Sequence, residues 1–322
     1  MWPTIVEVQD GMGLHSYGLF MLSAFCVAFL MVHYRSQKVG LQPDKLLPVY
    51  LVAAFGGLIG ARLLYAFAVE PSQLIADPMS LFSASGFAFY GGVIGGGVAV
   101  SLCARVLGFP MWVLADIVAP AVVVALGIGR LGCLFAGCCH GAVAPVGDAP
   151  SALFSGGFSG GEIWLLDTFP FLATEFYGGV GRLHDVALYP TQMWSAAVGI
   201  GWGCTLAWLW RRRSFDGQIA AATLMTEPIA RTVIEMFRAD HRGYAIRWEV
   251  DASWAEWFPG LSQAGSDVVS TTMGLTTSQA IGMCMVVFGG SLYAARRRTG
   301  LPTVVTHTAA EDDDLLDLVD DR

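Results

Sequence analysis

Seven long apolar stretches constrain the fold of this chain more than any other feature of its sequence. Each approaches the roughly 20 residues that an α-helix needs to cross the hydrocarbon layer of a membrane. Only 14% of the 322 residues are charged, whereas about 25% are charged in an ordinary soluble protein. The sequence therefore predicts an all-α integral membrane protein with seven transmembrane helices. The predicted crossings cover residues 16–34, 47–69, 86–108, 111–136, 190–210, 217–238 and 277–295.

The lysines and arginines between these stretches predict the orientation of the chain. Basic residues are enriched in cytoplasmic loops, and here they follow crossings one, three, five and seven. The other connecting segments hold few of them: none lies in 70–85, and only Arg182 lies in 138–189. This alternation predicts an amino terminus outside and a carboxy terminus in the cytoplasm. The basic residues after the odd-numbered crossings are Arg35, Lys38, Lys45, Arg105, Arg211–Arg213 and Arg296–Arg298.

The sequence predicts one membrane domain, residues 1–295, which includes two long outer segments and is followed by a tail. Residues 138–189 are rich in glycine and aromatic side chains and predict a small ordered head on the outer face. Residues 239–276 carry an aromatic cluster typical of a membrane interface. Residues 296–322 are acidic and predict a disordered cytoplasmic tail. Since topology explains the arginine clusters, no basic surface remains for a nucleic-acid partner.

Four arginines within or at the edge of the crossings, Arg62, Arg130, Arg231 and Arg238, are the candidate functional residues. An arginine near the centre of a bilayer costs at least about 2.5–3.5 kcal/mol, so such residues usually face a cavity or a partner. On the predicted topology all four point toward the outer leaflet. Guanidinium groups bind phosphate through two parallel hydrogen bonds. Together the arginines predict a site for an anionic lipid headgroup.

A second interpretation stays open for each arginine taken alone. Arg231 lies four residues from both Glu227 and Glu235, a spacing that places side chains on one helical face. It can therefore pair with either carboxylate. Arg130, at the end of the fourth crossing, can extend its charged end into the interface.

Several motifs, in the same order along the chain, resemble those of the prolipoprotein diacylglyceryl transferase family. "GRLGCLFAG" at 129–137 is similar to the family signature, a glycine-arginine motif followed by asparagines and a glutamate. The other similar stretches are "SYGLFM" at 16–21, "GARLLY" at 60–65, "GFAFYGGVIGG" at 86–96, "YPTQMW" at 189–194, "ARTVIEMFRAD" at 230–240 and "GLTTSQ" at 274–279. The resemblance covers nearly all of residues 14–295.

The resemblance implies an enzyme of the bacterial cytoplasmic (inner) membrane. Such enzymes transfer the diacylglyceryl group of phosphatidylglycerol to the cysteine thiol of a prolipoprotein signal peptide and release glycerol phosphate. The family needs no metal or organic cofactor. By position, Arg130 matches the arginine that engages the lipid headgroup, Arg231 matches a second essential arginine, and Tyr17 matches the tyrosine of the first crossing. Arg62 and Arg238 are expected to add to headgroup binding.

The chain departs from the family pattern at polar positions that the chemistry uses. A histidine proposed as a catalytic group is replaced by Tyr90. The other replacements are Cys133, Ala136 and Cys138 in the signature, and Tyr189 and Ser195 in "YPTQMWS". The general base for the thiol therefore needs another source, for which His140 is the first candidate and Tyr90 the second.

Seven cysteines show no metal-binding spacing, so the sequence predicts no metal site. Cys133 and Cys138 would come close if the helix ended between them, and a disulfide is one interpretation for the oxidising outer face. Packing as small apolar residues and transient acceptance of the diacylglyceryl group are the others. A bond between the neighbours Cys138 and Cys139 would be strained.

Two further hypotheses accompany the transferase. The chain is either a relative that binds anionic lipid as a regulator or partner without transferring it, or a transferase for a different acceptor. The missing histidine, asparagines and glutamate motivate both.

Overall fold

A computed structural model describes residues 4–8, 12–41, 45–68, 71–82, 88–139, 141, 189–238, 244–250, 262–264 and 271–299. Most of the expected outer head, at 142–188, lies outside the described residues. The same holds for His140 and for the acidic tail from residue 300 onward.

Helices dominate the described residues, and the seven long ones coincide with the seven predicted crossings. In chain order the helices are α1 Ser16–Lys38, α2 Leu46–Ala68, α3 Pro71–Ala76, α4 Phe89–Leu107, α5 Met111–Ala136, α6 Thr191–Leu209, α7 Gln218–Glu235 and α8 Thr277–Thr299. By length and composition, α1, α2, α4, α5 and α8 can cross a membrane. Helix α6 is less apolar because it contains threonine, glutamine, tryptophan and glycine, and α7 carries three charged residues. The chain is therefore a multi-pass helical membrane protein.

Two small antiparallel sheets were not predicted from the sequence. Strands β1 (Thr4–Val8) and β2 (Met12–His15) form a hairpin directly before α1. Strands β3 (Tyr244–Val250), β4 (Ser262–Ala264) and β5 (Thr271–Thr276) form a sheet in the order β3-β5-β4. Apolar length identifies helices in lipid but carries no information on short paired strands, so the all-α expectation was wrong for these segments. Strand β5 runs directly into α8.

The chain divides into two compact units. The first comprises residues 1–28, 119–212 and 218–298, and the second comprises residues 29–118, 213–217 and 299–322.

In the second unit, glycines let α2 and α4 touch along their backbones. A Cβ atom built on Gly60 would lie 2.7 Å from the Cα atom of Gly95, and one on Gly95 would lie 2.8 Å from the Cα atom of Gly60. Larger side chains at either position would separate the helices. Close packing of small residues is a common way to join helices in lipid, where burial of apolar surface adds no driving force.

A buried ion network in the second unit ties the end of the segment after α6 to the start of α5. Asp116 is fully buried and accepts a hydrogen bond of 2.8 Å from the backbone N–H of Gly217. The Nε atom of Arg213 lies 3.7 Å from an oxygen of Asp116 and 3.5 Å from an oxygen of Asp216. Arg213, which the sequence explained as a topology signal, therefore also holds two carboxylates inside the protein.

In the first unit, a glycine crossing joins α5 to α6. A Cβ atom built on Gly203 would lie 2.8 Å from the backbone nitrogen of Val124, and one on Gly127 would lie 2.7 Å from the nitrogen of Ile200. The indole N–H of Trp202 then donates a hydrogen bond of 2.7 Å to the Thr226 hydroxyl and links α6 to α7. These contacts hold α5, α6 and α7 together.

Candidate active site between α5, α6 and α7

Helices α5, α6 and α7 of the first unit enclose a cleft with charged groups on apolar walls. Three guanidinium groups and two carboxylates face it, so the cleft carries a net positive charge when all five are ionised. Its lining consists of Val123, Leu126 and Arg130 from α5, of Ser195, Val198, Gly199 and Trp202 from α6, and of Glu227, Ala230, Arg231, Ile234, Glu235 and Arg238 from α7 and the residues after it. Three of the four arginines singled out in the sequence therefore meet in one cleft.

The start of α8 positions one of the two carboxylates. Glu235 is buried, 5% exposed, and accepts a hydrogen bond of 2.9 Å from the hydroxyl of Thr276. Thr276 also caps α8: its hydroxyl accepts from the N–H of Gln279 at 3.1 Å, and its own N–H donates to Oε1 of Gln279 at 3.1 Å. This reciprocal pair is a capping box. Thr276 was not among the predicted site residues, although the Thr-x-x-Gln spacing at 276–279 is a sequence signal for such a box.

The same helix end contacts Arg231. Its Nε atom lies 3.4 Å from the hydroxyl oxygen of the buried Ser278. Glu227, one turn earlier on α7, interacts electrostatically with both Arg231 and Arg130. Of the two partners expected for Arg231, Glu235 is thus hydrogen-bonded to the α8 cap, while Glu227 lies in the field of two guanidinium groups.

Tyr17 of α1 packs against α5 close to Arg130. A Cβ atom built on Gly132 would lie 2.9 Å from the Cβ of Phe20 and 3.3 Å from a ring carbon of Tyr17. The rings of Phe20 and Phe135 stack with their centroids 4.9 Å apart. Tyr17 interacts electrostatically with Arg130. The glycine after Arg130 in the signature therefore allows the tyrosine of α1 to approach this end of α5.

Arg238 connects the cleft to the segment that follows α5. It is buried, 5% exposed, and its backbone forms an antiparallel bridge with Gly141. The N–H of Gly141 in turn donates a hydrogen bond of 3.1 Å to the carbonyl of Tyr189. A Cβ atom on Gly141 would lie 2.9 Å from the carbonyl carbon of Tyr189, so no side chain fits there.

Three cysteines converge where α5 ends. Their sulfur atoms all lie within 4.8 Å of one another: Cys133 is buried in the last turn of α5, Cys139 is half-buried, and Cys138 is exposed. Helix α5 ends at Ala136, between Cys133 and Cys138. Because the helix ends there, the chain can turn and bring the two sulfur atoms close together. All three are free thiols.

The charge surroundings of Cys138 and Cys139 differ. Hydrogen bonds from the thiols of Cys133 and Cys138 lower the pKa of Cys139, and the guanidinium groups of Arg238 and Arg130 lower it further. Hydrogen bonds to Cys133 and Cys139 raise the pKa of Cys138, and partial burial adds to the rise. Negative charge in the cluster is therefore best accommodated on Cys139.

Tyr189 packs inside an aromatic group next to the cleft. Its ring centroid lies 5.3 Å from that of Phe237 and 6.1 Å from that of Trp194, and the Trp194 and Phe237 rings meet edge to face at 5.6 Å. Burial raises the pKa of Tyr189. The Tyr189 hydroxyl therefore stays protonated at neutral pH, whereas an imidazole in its place would titrate near neutral pH.

Two residues expected at the site belong to the second unit. Arg62 donates from Nε to the carbonyl of Leu81 at 2.9 Å and from Nη2 to the carbonyl of Ser80, and its guanidinium lies 5.6 Å from the centre of the Tyr65 ring. Tyr90 is buried in the first turn of α4. Neither residue is among those that line the cleft.

Comparison with known proteins decides the family. Residues 3–295 match the family described as prolipoprotein diacylglyceryl transferase. The chain belongs to this family. It is 30% identical to phosphatidylglycerol–prolipoprotein diacylglyceryl transferase 2 of Clostridium perfringens, over 72% of this chain and 82% of the relative. The corresponding enzyme of Clostridium tetani is 28% identical over 76% and 88%, and that of Escherichia coli O1:K1 is 29% identical over 76% and 84%.

Within the prolipoprotein diacylglyceryl transferase pattern, this chain keeps its arginines together and changes their surroundings. Arg130 and Arg231 line one cleft. At the variant positions, Cys133 and Cys138 point their sulfurs into one cluster, and Tyr189 fills an aromatic pocket. Of these departures, Cys133 and Tyr189 are buried and Cys138 is exposed.

Proposed function

We propose that this chain transfers the sn-1,2-diacylglyceryl group of phosphatidylglycerol to the cysteine thiol of prolipoprotein signal peptides. The observation that carries the proposal is the meeting of Arg130, Arg231 and Arg238 in one cleft of a chain of this family. Phosphatidylglycerol, prolipoprotein and membrane lipid are then its partners. Relatives with 82% and more of their length matched carry this activity in their names.

The proposal includes the topology and domain organisation. Helices α1, α2, α4, α5, α6, α7 and α8 cross the bacterial inner membrane, with the amino terminus outside and the carboxy terminus in the cytoplasm. Residues 1–295 then form the transferase domain, with outer parts at 138–189 and 239–276, and residues 296–322 form a cytoplasmic tail. On this topology Arg130 lies near the outer end of α5 and Arg238 follows the outer end of α7, so the cleft meets the outer leaflet, where exported prolipoproteins arrive.

The reaction explains why guanidinium groups are needed. The thiolate sulfur forms a bond to the glycerol carbon that carries the phosphate, while the bond from that carbon to the phosphate oxygen breaks. The electron pair leaves on glycerol phosphate, whose negative charge grows in the transition state. Fixed positive groups in a cleft with apolar walls stabilise such charge more strongly than water does.

We assign roles to the residues accordingly. Arg130 and Arg231 hold the phosphate, with Arg238 and Tyr17 beside them. The thiol gives its proton to a base, for which His140 and Tyr90 remain the candidates. Arg62 donates to the carbonyls of Ser80 and Leu81, so we give it no direct role in headgroup binding.

Transfer from phosphatidylglycerol vesicles to a lipobox peptide tests the proposal with purified protein. We expect Arg130→Ala to lower the rate by about 10²–10³, as for loss of one donor to a developing anion. Arg130→Lys keeps the positive charge but loses the paired hydrogen bonds, so it should recover only part of the transfer rate. Arg298→Ala, an exposed arginine on α8, is the matched control and should transfer normally. Transfer by Arg130→Ala at the rate of the unmodified protein would refute the role of Arg130.

The same assay separates the candidate bases. Loss of transfer in His140→Ala or in Tyr90→Phe, with phosphatidylglycerol still bound, identifies the residue that accepts the proton. Normal transfer by both variants excludes both residues.

The changed polar positions favour one second candidate, a relative that binds anionic lipid without transferring it. The thiols of Cys133 and Cys138 and the phenol of Tyr189 stand where the family has asparagine, glutamate and histidine. Phosphatidylglycerol that copurifies with the protein, with no thioether product after long incubation, would establish this function. A product on a thiol outside a lipobox would instead identify a different acceptor.

A further inference from the structure

The three sulfur atoms at the end of α5 have the spacing of a metal-ligand set. Three thiolates at the usual zinc–sulfur distance of about 2.3 Å lie roughly 4 Å from one another. The sulfurs of Cys133, Cys138 and Cys139 already lie within 4.8 Å of one another. Small side-chain rotations would therefore close the set around one ion. The exposed thiol of Cys138 provides a route by which an ion can reach the cluster.

The backbone that carries these sulfurs is held in an uncommon conformation. Cys139 has a φ angle of 62°, the left-handed region that residues other than glycine rarely adopt. The conformation is supported from α6: the buried Gln192 donates from Nε2 to the carbonyl of Cys138 at 3.0 Å, and the buried Thr191 donates to the carbonyl of Cys139 at 3.1 Å. Such supported strain is typical of sites that position reactive groups or ligands.

The surrounding charge suits a thiolate complex. The guanidinium groups of Arg238 and Arg130 interact electrostatically with Cys139. Three thiolates around a divalent ion carry one net negative charge, and around a monovalent ion two. Either charge is offset by the two neighbouring guanidinium groups.

A metal ion uses all three sulfurs, whereas a disulfide uses two. Oxidation to a disulfide would need an external oxidant and would leave the third thiol, with its supporting hydrogen bonds, without a function. Metal binding needs no oxidant: the ion replaces three thiol protons, which pass to water.

We propose that Cys133, Cys138 and Cys139 form a binding site for one thiophilic cation, Zn²⁺ or Cu⁺. Thiolate sulfur selects these ions over Mg²⁺ and Ca²⁺. Cu⁺ is satisfied by the three sulfurs, whereas Zn²⁺ takes a fourth ligand such as water. This site is additional to the proposed transfer reaction, in which the family uses no metal, and the ion stabilises the turn between α5 and Gly141.

Metal titration of the full-length protein, reduced and in detergent, tests the proposal without an activity assay. Co²⁺ serves as a coloured substitute for Zn²⁺, and Cu⁺ is added in a separate arm against a competing chelator. We expect one ion per chain, a thiolate-to-cobalt charge-transfer absorption, and a higher unfolding temperature with Zn²⁺ or Cu⁺. The arm with the tighter binding identifies the ion.

Serine variants locate the site. Cys133→Ser, Cys138→Ser and Cys139→Ser should each weaken binding by more than about 100-fold, since each removes a direct ligand. Cys204→Ser, an exposed cysteine on α6, is the control and should bind normally. No bound ion in the reduced, unmodified protein would overturn the proposal, and this result does not depend on the folding of any variant. Equal binding by the triple serine variant would overturn it as well.

Discussion

A Cβ atom built on Gly199 of α6 would lie 2.7 Å from the Cα atom of Gly127 on α5. The two helices therefore touch backbone to backbone one turn before Arg130. Gly199 also lines the cleft, so this contact sets the distance between the α5 and α6 walls.

Gly199→Ala should accordingly destabilise the protein and disturb the cleft. The added methyl group has no room and forces the helices apart, a type of overpacking that costs about 1–3 kcal/mol. We expect a lower unfolding temperature by tryptophan fluorescence and slower transfer to a lipobox peptide. Gly201→Ala is the matched control, because a Cβ atom at that position of α6 has nothing within 4 Å. Equal unfolding temperatures and equal transfer rates for the two variants would contradict the close contact between Gly199 and Gly127.

Thr276→Val should remove two interactions at once. The hydroxyl of Thr276 caps α8 and donates to Glu235, and valine keeps its shape but not its hydrogen bonds. Leaving the buried carboxylate without this donor should cost about 1–3 kcal/mol of unfolding free energy. Thr276→Ser retains the hydroxyl and should stay near the unmodified protein. If serine and valine destabilise equally, the hydroxyl is not what matters.

Arg213→Ala should be strongly destabilising, in contrast to its neighbour. It removes the cation that contacts the buried Asp116 and Asp216, and breaking a buried ion pair costs about 3–5 kcal/mol. Arg212→Ala removes an exposed side chain that lies over the Trp208 ring at 4.1 Å, which should cost less than about 1 kcal/mol. The unfolding temperatures of the two variants, measured in detergent, test this difference. A small decrease for Arg213→Ala would show that the ion network contributes little to stability.

Glu227→Gln should tighten binding of phosphatidylglycerol to the cleft. The carboxylate shares the cleft with Arg130 and Arg231 and opposes an incoming phosphate. Removing it should gain on the order of 1 kcal/mol, or about five-fold in the dissociation constant. Lipid binding is measured with nanodiscs of stated phosphatidylglycerol content. Ser195→Ala, a neutral change in the same lining, is the control, and unchanged or weaker binding by Glu227→Gln would contradict the electrostatic argument.

Tyr189→Phe should alter the alkaline pH dependence of stability. Burial raises the pKa of Tyr189 in the folded protein. Its contribution to stability is therefore complete below the unfolded value of about 10 and is lost as the pH rises through the folded value. Phenylalanine cannot ionise, so the unfolding temperature of the variant should fall less as the pH rises above about 10. Tyr34→Phe, an exposed tyrosine, is the control, and parallel curves for all three proteins would contradict the prediction.

The long helices could be predicted from the sequence because apolar length is a local property. The shared face of Arg231 and Glu235 on α7 is equally local, and both residues line the cleft. Contacts between distant residues could not be predicted. Asp116 and Gly217 are 101 positions apart, and Thr276 and Glu235 are 41 apart, so only the packing of whole helices brings them together.

The cysteine cluster could not be predicted from the sequence either. Their spacing of five and one fits no common metal motif, so the sequence predicted no metal site. Their convergence depends on where α5 ends and on the left-handed conformation of Cys139. That conformation depends on hydrogen bonds from Thr191 and Gln192, far along the chain.

The hydrogen bond from Gly141 to the carbonyl of Tyr189 brings the chain after α5 and the chain before α6 to one point. This junction is a natural place to exchange residues 142–188 between relatives without altering the arginine cleft.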